Sequence, residues 1–321
     1  MEARRAGGTT APARRPTEEG EEREEREEAG ETGEARPTEE TMPRVQPNPI
    51  GIDAYAPKDI AVRVEGIGVT KATMAAGPLF ALAVLAGVFI AFGGLFFTVV
   101  ITGSELGLGP TRLLGGVAFS LGLILVVVGG AELFTGNNLI VMAWCDDRIT
   151  TAALLRNWGI VLVGNAVGAV ATAFAVHHAG VGGIGDGALD RTVAAIAAAK
   201  VALPWDEAFL RGVLCNALVC LAVWLSVAAR TVVGKILAIV FPIAGFVAAG
   251  LEHSIANMYL IPVGMLAAGT VDVAAVLGNL LPVTLGNVVG GSAFVALFYY
   301  WIYVRGASQT ASPASSDQGD G

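Results

Sequence analysis

Charge is what this 321-residue chain lacks once its first sixty positions are passed. Of its 28 Asp and Glu residues, 15 lie in 1–60, as do 9 of its 20 Lys and Arg; residues 61–305 carry 11 of each sign. Two stretches, 72–104 and 273–304, hold no Asp, Glu, Lys or Arg at all. Each is long enough to cross about 30 Å of hydrocarbon. With 54% hydrophobic residues, the chain is excluded as a soluble globular protein and reads as a polytopic membrane protein. Its net charge of −8 belongs mostly to the N-terminal region, and no nucleic acid is expected as a partner. Cysteine is scarce too. Cys145, Cys215 and Cys220 have no C-x-x-C spacing and read as small core residues, neither disulfides nor metal ligands. The chain has no G-x-x-x-x-G-K loop for ATP, no H-E-x-x-H and no nucleophile–histidine pairing. ATP-driven pumping therefore lacks support, and no enzyme, cofactor or metal is expected. No apolar stretch precedes residue 72, so no signal peptide is expected.

What is present falls into three parts. Residues 1–52, centred on EEGEEREEREE (18–28), bury too little apolar area to offset their chain entropy and are expected to be a disordered acidic tail; 306–321 are expected to be a disordered C-terminal tail. Between them, 53–305 form the membrane domain. It opens with DAYAPKDIAVRVEGIGVTK (53–71), expected to be a short amphipathic helix at the membrane surface. Six spans follow, at 74–102, 113–145, 151–176, 208–229, 236–267 and 273–304, with the connection that contains Lys200 read as a loop. Lys and Arg in the connections sort into two sets. Arg63, Lys71, Arg148, Arg156, Arg230, Lys235 and Arg305 fall on one side, and Arg112, Arg191, Lys200 and Arg211 on the other. The first set is read as cytoplasmic, with both termini inside.

The second and fifth spans exceed one crossing, and each has a polar insertion. AELFTGNN (131–138) places Glu132 five residues before Asn137, and LEHSIANM (251–258) places Glu252 five before Asn257. The third and sixth spans share N-x6-G-N-x-V-G, with Asn157, Gly164, Asn165 and Gly168 matching Asn279, Gly286, Asn287 and Gly290. Two matches in the same order make a repeat of three spans. Because three is odd, the second copy must be inserted upside down. The fold class expected is an all-α membrane protein of two inverted three-helix repeats with the second and fifth helices broken near the midplane. Broken helices leave backbone groups that must be buried in protein or line a water-filled path. Each residue here has a plainer role as well. The glycines suit close helix packing, Asn165 and Asn287 suit ties between helices, and Glu132 and Glu252 suit capping of the broken ends.

His253 at the second break is the one imidazole of the interior, with Thr135, Ser254, Asn257 and Asn287 as hydroxyl and amide neighbours. Opposed helix breaks aim N–H groups at the centre, and donors without an acidic cluster suit a small anion. Protonation by His253 would turn a weak-acid anion into a neutral acid and remove most of the cost of burying its charge. Phe119, Leu123, Phe134 and Phe246 lie near the breaks, as constrictions or as ordinary packing. A path for small neutral solutes, with His253 as a hydrogen-bond donor only, is the alternative.

AELFTGNN, NWGIVLVGN, LVCLAVW, FVAAGLEHSIANMYLIPVG and NLLPVTLGNVVGG closely resemble, in order, the signature segments of the formate/nitrite transporter family, over about residues 54–305. The resemblance implies an aquaporin-like protomer in a homopentamer of the cytoplasmic membrane. It also implies passage of small monovalent anions such as formate, nitrite or hydrosulfide, with protons. It assigns His253 as the central histidine, Thr135 as the threonine of the first break and Asn287 as a pore asparagine. Lys200 and Asn216, near the histidine, become electrostatic attractors or proton relays, grouped with Glu252. Phe119, Leu123 and Phe134 are the constriction toward one side, with Phe246 toward the other. The long acidic N-terminal region departs from the family's pattern.

Overall fold

The computed structural model describes residues 54–305, so both expected tails lie outside the described residues. Among the described residues ten α-helices run in chain order: α1 (Pro57–Thr73), α2 (Ala76–Ile101), α3 (Leu108–Gly129), α4 (Val141–Cys145), α5 (Thr151–His178), α6 (Ile184–Val201), α7 (Trp205–Ala228), α8 (Val232–Ala248), α9 (Ser254–Ala267) and α10 (Val273–Gly291). A 3₁₀ turn at Gly136–Ile140 leads into α4, and π-helical turns carry α10 on to Arg305. Among the described residues, five helices are long and apolar enough to cross a membrane: α2, α3, α5, α7 and α10 with its extension. The shorter α8 and α9 are apolar as well, and they meet at the break expected within 236–267.

Local chemistry explains most boundaries. Pro57 begins α1, where its missing N–H costs nothing. The Thr150 and Thr231 side chains accept from the N–H of Ala153 and Gly234 to cap α5 and α8, and Asp272 accepts from Ala275 to cap α10. Gly130 and Gly250 end α3 and α8 in the left-handed region, at φ of +79° and +71°. After each, three residues run without helical bonding, 131–133 and 251–253.

Helix α6 corrects the expectation of a loop before 208. Leu189, Val193 and Ala197 lie four apart and are buried, a helical stripe packed on α9. Gly185, Asp186 and Gly187, all at positive φ, bend the chain just ahead of this stripe, and the glycine-rich run GVGGIGDG (180–187) reads as a loop that masks the helix after it.

Packing pairs α2 with α3 and α5, α7 with α10, α3 with α8, and α9 with α5 and α6. Glycine makes the closest approaches possible: a Cβ on Gly168 would overlap the Val84 carbonyl, and one on Gly290 the Val213 carbonyl. The main core joins α2, α3, α5, α8 and α9 around Ile90, Leu123, Val161, Ile243 and Tyr259. A second cluster docks α1 through Ile60, Ala61, Val64 and Ala72 onto Ile140, Met142, Ile149 and Trp224.

Candidate functional site: two helix breaks that meet

Each break must satisfy the backbone that a continuous helix would have satisfied, and both do so with the same residues. At the first, Asn165 Oδ1 accepts from the Phe134 N–H (2.9 Å) while its Nδ2 donates to the carbonyls of Ala83 (2.7 Å) and Glu132 (2.9 Å). At the second, Asn287 Oδ1 accepts from the Ser254 N–H (2.9 Å) while its Nδ2 donates to Gly212 (2.8 Å) and Glu252 (3.0 Å). Both N–H bonds of the Asn287 amide are thus committed to backbone. The amide ties the break together as Asn165 does at the first.

The glutamates are buried, and an isolated carboxylate there would be very costly. Glu132 receives Lys71 Nζ (3.0 Å) and Asn137 Nδ2 (2.8 Å); Glu252 receives Lys200 Nζ (2.8 Å) and Asn257 Nδ2 (2.6 Å). Asn137 also donates to Asn157 Oδ1, and Asn257 to Asn279 Oδ1. Asn157 and Asn279 close each circuit by donating to the backbone carbonyls of Lys71 and Lys200. Lys71 had been read as an ordinary connecting cation; it is the partner that sequence reasoning missed. Its signal was its place in the last turn of a helix just ahead of a long apolar span, which Lys200 shares.

His253 caps α9: its Nδ1 accepts from the Ala256 N–H (3.1 Å). Thr135 stands in the same place ahead of the 3₁₀ turn at Gly136, and its Oγ1 lies 2.9 Å from His253 Nε2. The residues that start the two inner half-helices therefore touch each other. With Nδ1 accepting, Nε2 is the ring nitrogen left to face the Thr135 hydroxyl. Both residues are buried, and the His253 ring stacks on Phe246 at 5.9 Å.

Two cavities approach this contact. The first, of about 540 Å³, is walled by Phe119, Phe246, His253, Lys200, Glu252, Asn257 and Arg112 among others. The second, of about 460 Å³, is walled by Leu123, Leu133, Gly136, Glu132, Asn137, Lys71, Arg63, Arg230 and Lys235 among others. The two sets of connecting cations separate accordingly, Arg112 and Lys200 at one cavity and Arg63, Lys71, Arg230 and Lys235 at the other. Phe119 and Phe246 meet edge to face at 5.6 Å and wall the same cavity. Leu123 belongs to the other cavity. Phe134 lines neither; its ring packs on Trp158 at 6.2 Å. Ring direction depends on which neighbouring helix each residue crosses, which spacing does not reveal.

Asn216 is one step removed from His253. Its Nδ2 bonds Asn138 Oδ1 (2.7 Å) and the carbonyls of Asn287 (2.6 Å) and Thr135 (3.2 Å), so it positions the threonine rather than the imidazole. Among the described residues no group of three or more His, Cys, Asp or Glu is arranged to hold a metal.

The formate/nitrite transporter family model matches residues 58–301. A probable formate transporter of Methanothermobacter thermautotrophicus is 42% identical over 273 residues, covering 80% of this chain and 100% of that protein. The formate channel FocA of Escherichia coli (strain K12) is 40% identical over 273 residues, covering 79% and 96%. A solved pentameric formate channel with formate bound superposes with a TM-score of 0.64 at 38% identity, covering 72% of this chain and 98% of that one. With these matches spanning the broken helices and the residues between them, the chain belongs to the formate/nitrite transporter family.

Proposed function

We propose that this protein carries formate and similar small monovalent weak-acid anions across the cytoplasmic membrane, between the two cavities and past the Thr135–His253 contact. That contact is the observation that carries the reading: a buried imidazole bridging two helix breaks, behind the Phe119–Phe246 pair. An ionisable residue in such a place is functional by default. Formate as the substrate is supported by the relatives, which are formate transporters and channels rather than enzymes.

In this reading the chain crosses the membrane six times as two inverted repeats with both termini inside, and five copies assemble, as the pentameric channel that it matches does. An anion leaving the first cavity sheds water between Phe119 and Phe246, where its charge is expensive. His253 in its imidazolium form passes the Nε2 proton to an anion oxygen, leaving neutral imidazole and a neutral acid that crosses the apolar wall. Lys200 and Glu252 flank the step, and Asn216 and Asn287 hold its framework.

The Ala256 N–H donated to Nδ1 favours a second reading. Charging the ring would put a proton on Nδ1 and break that cap, so His253 would act as a fixed hydrogen-bond donor for a small neutral solute, the neutral acid included. Flux of formate, nitrite and hydrosulfide into proteoliposomes at several pH values, wild type beside His253→Phe, separates the two. A flux that rises as pH falls and loses that response in the variant makes His253 the proton donor. A response that survives the substitution puts the second reading first.

A further inference from the structure

The lysine beside the histidine is the obvious attractor of anions in the first cavity, but its charge is already spent. Lys200 Nζ lies 2.8 Å from Glu252 Oε1, with both side chains largely buried. Seen from the cavity mouth, this pair is a small dipole with no net charge. Arg112 is the remaining charged residue among the described residues that wall the cavity. It is exposed, and its one hydrogen bond given by the structure is from Nη1 to the Ala248 carbonyl (3.0 Å), a neutral acceptor.

We infer that Arg112 is the residue that draws anions into the first cavity, and that it is a docking point for a planar two-oxygen anion such as a carboxylate or nitrite. The inference rests on the transport reading for its substrate, but not for its electrostatics. The guanidinium has five N–H donors in a fixed fork. One is used on Ala248, which leaves donors in the arrangement that suits two anion oxygens. The bond to Ala248 holds this fork over the last turn of α8, above Gly250, which is two residues ahead of Glu252 and three ahead of His253. An anion captured there lies at the start of the chain segment that leads to the imidazole. The second cavity differs: its paired lysine, Lys71, is accompanied by Arg63 and Lys235, so its positive charge is spread over several residues. In the first cavity it depends on one.

A bond from arginine to the last carbonyls of a helix also has an ordinary structural meaning, as a C-terminal cap. The test must therefore read charge and not fold. Leu108 lies one turn before Arg112 on the same helix face, is exposed and walls the same cavity. In a background with Cys145→Ser, Leu108→Cys supplies a thiol whose reaction rates with anionic and cationic methanethiosulfonate reagents report the local potential whether or not formate is carried. Arg112→Gln is expected to lower the anionic-to-cationic rate ratio about three- to ten-fold at about 0.01 M ionic strength, where the screening length is ~30 Å. The difference should shrink below two-fold at about 1 M. Arg112→Lys should keep most of the wild-type ratio. In formate flux at low ionic strength, Arg112→Gln should raise the half-saturating concentration by a similar factor. A ratio unchanged in Arg112→Gln overturns the inference, as does an equal drop in the Lys and Gln variants at both ionic strengths, which would mark a cap. A changed ratio in a protein that carries no formate leaves Arg112 as the charge of this cavity and removes the transport reading instead.

Discussion

In the first half of the chain Lys71, Glu132, Asn137, Asn157 and Asn165 form one connected polar cluster; in the second, Lys200, Glu252, Asn257, Asn279 and Asn287 form the same one, except that Lys71 Nζ also donates to Asn137 Oδ1 (2.9 Å), a bond without a counterpart at Asn257. Counting along each break from its glutamate shows where the halves part. Leu133 stands opposite His253, Phe134 opposite Ser254 and Thr135 opposite Ile255. The long helices part in one place that bears on these. Leu82 and Arg211 accept the Glu132 and Glu252 N–H, and five residues further on Gly87 matches Asn216. A Cβ on Gly87 would overlap the Asn165 carbonyl, whereas Asn216 reaches the equivalent Asn287 carbonyl with its side-chain amide. What the halves share holds two broken helices in an apolar interior. What they do not share is the pair in which the proposed chemistry lies, His253 and Thr135, with Asn216 behind the threonine. The comparison separates frame from site without reference to any ligand.

The largest effect should come from breaking the frame, and it should be the same in either half. Lys71→Met or Lys200→Met leaves a buried carboxylate without its cation, a change that costs about 3–5 kcal/mol. Thermal unfolding of the detergent-solubilised protein should drop comparably for the two, and adding Glu132→Gln or Glu252→Gln to its own lysine variant should recover much of the loss. A silent Lys71→Met would end the equivalence. Next come the clamps. Asn165→Ala and Asn287→Ala each strand a buried N–H and two carbonyls, about 1–3 kcal/mol for each group left unsatisfied, and formate flux should fall with stability in both. If only Asn287→Ala reduces flux at equal stability, that asparagine is more than a clamp.

A smaller effect sharpens the comparison at α1, which carries Lys71. Glu65 on that helix is buried against Arg148 at 3.3 Å. Burial, and then the Asp146 carboxylate beside it, push its carboxyl from 4.5 up to about 7 against the pull of Arg148. A carboxyl raised on folding favours the protonated folded state. Its contribution is full below pH 4.5, falls away between 4.5 and 7, and is absent above. The wild type should therefore lose more thermal stability between pH 5 and pH 8 than Glu65→Gln, which cannot ionise there. Equal losses would remove Glu65 from the docking of α1.

How much of this was readable in advance follows from the range over which each feature is encoded. The glutamate–asparagine pairs lie five residues apart, and the N-x6-G-N-x-V-G segments within twelve, so the breaks and their repetition stood in plain view. The lysines lie 61 and 52 residues from their glutamates with no motif around them. Only the folded chain places Lys71 at Glu132, and only the buried face packed on α9 sets α6 apart from the glycine-rich loop ahead of it. The partition of Phe119, Leu123, Phe134 and Phe246 between cavities was out of reach for a similar reason: it depends on crossing angles between helices, not on their order. The capping role of His253 Nδ1 was equally out of reach, since it comes from a single backbone N–H at Ala256.

The claim that the site lies where the halves differ is tested most directly by making one difference disappear. Formate flux into proteoliposomes should be measured from pH 5 to pH 8 for wild type, for His253→Leu, which installs the residue found opposite it, and for Leu133→Met at the matching position. The account predicts a wild-type flux that rises as pH falls, a response kept by Leu133→Met and lost by His253→Leu. A His253→Leu protein whose flux still rises as pH falls, to the wild-type extent, would contradict it.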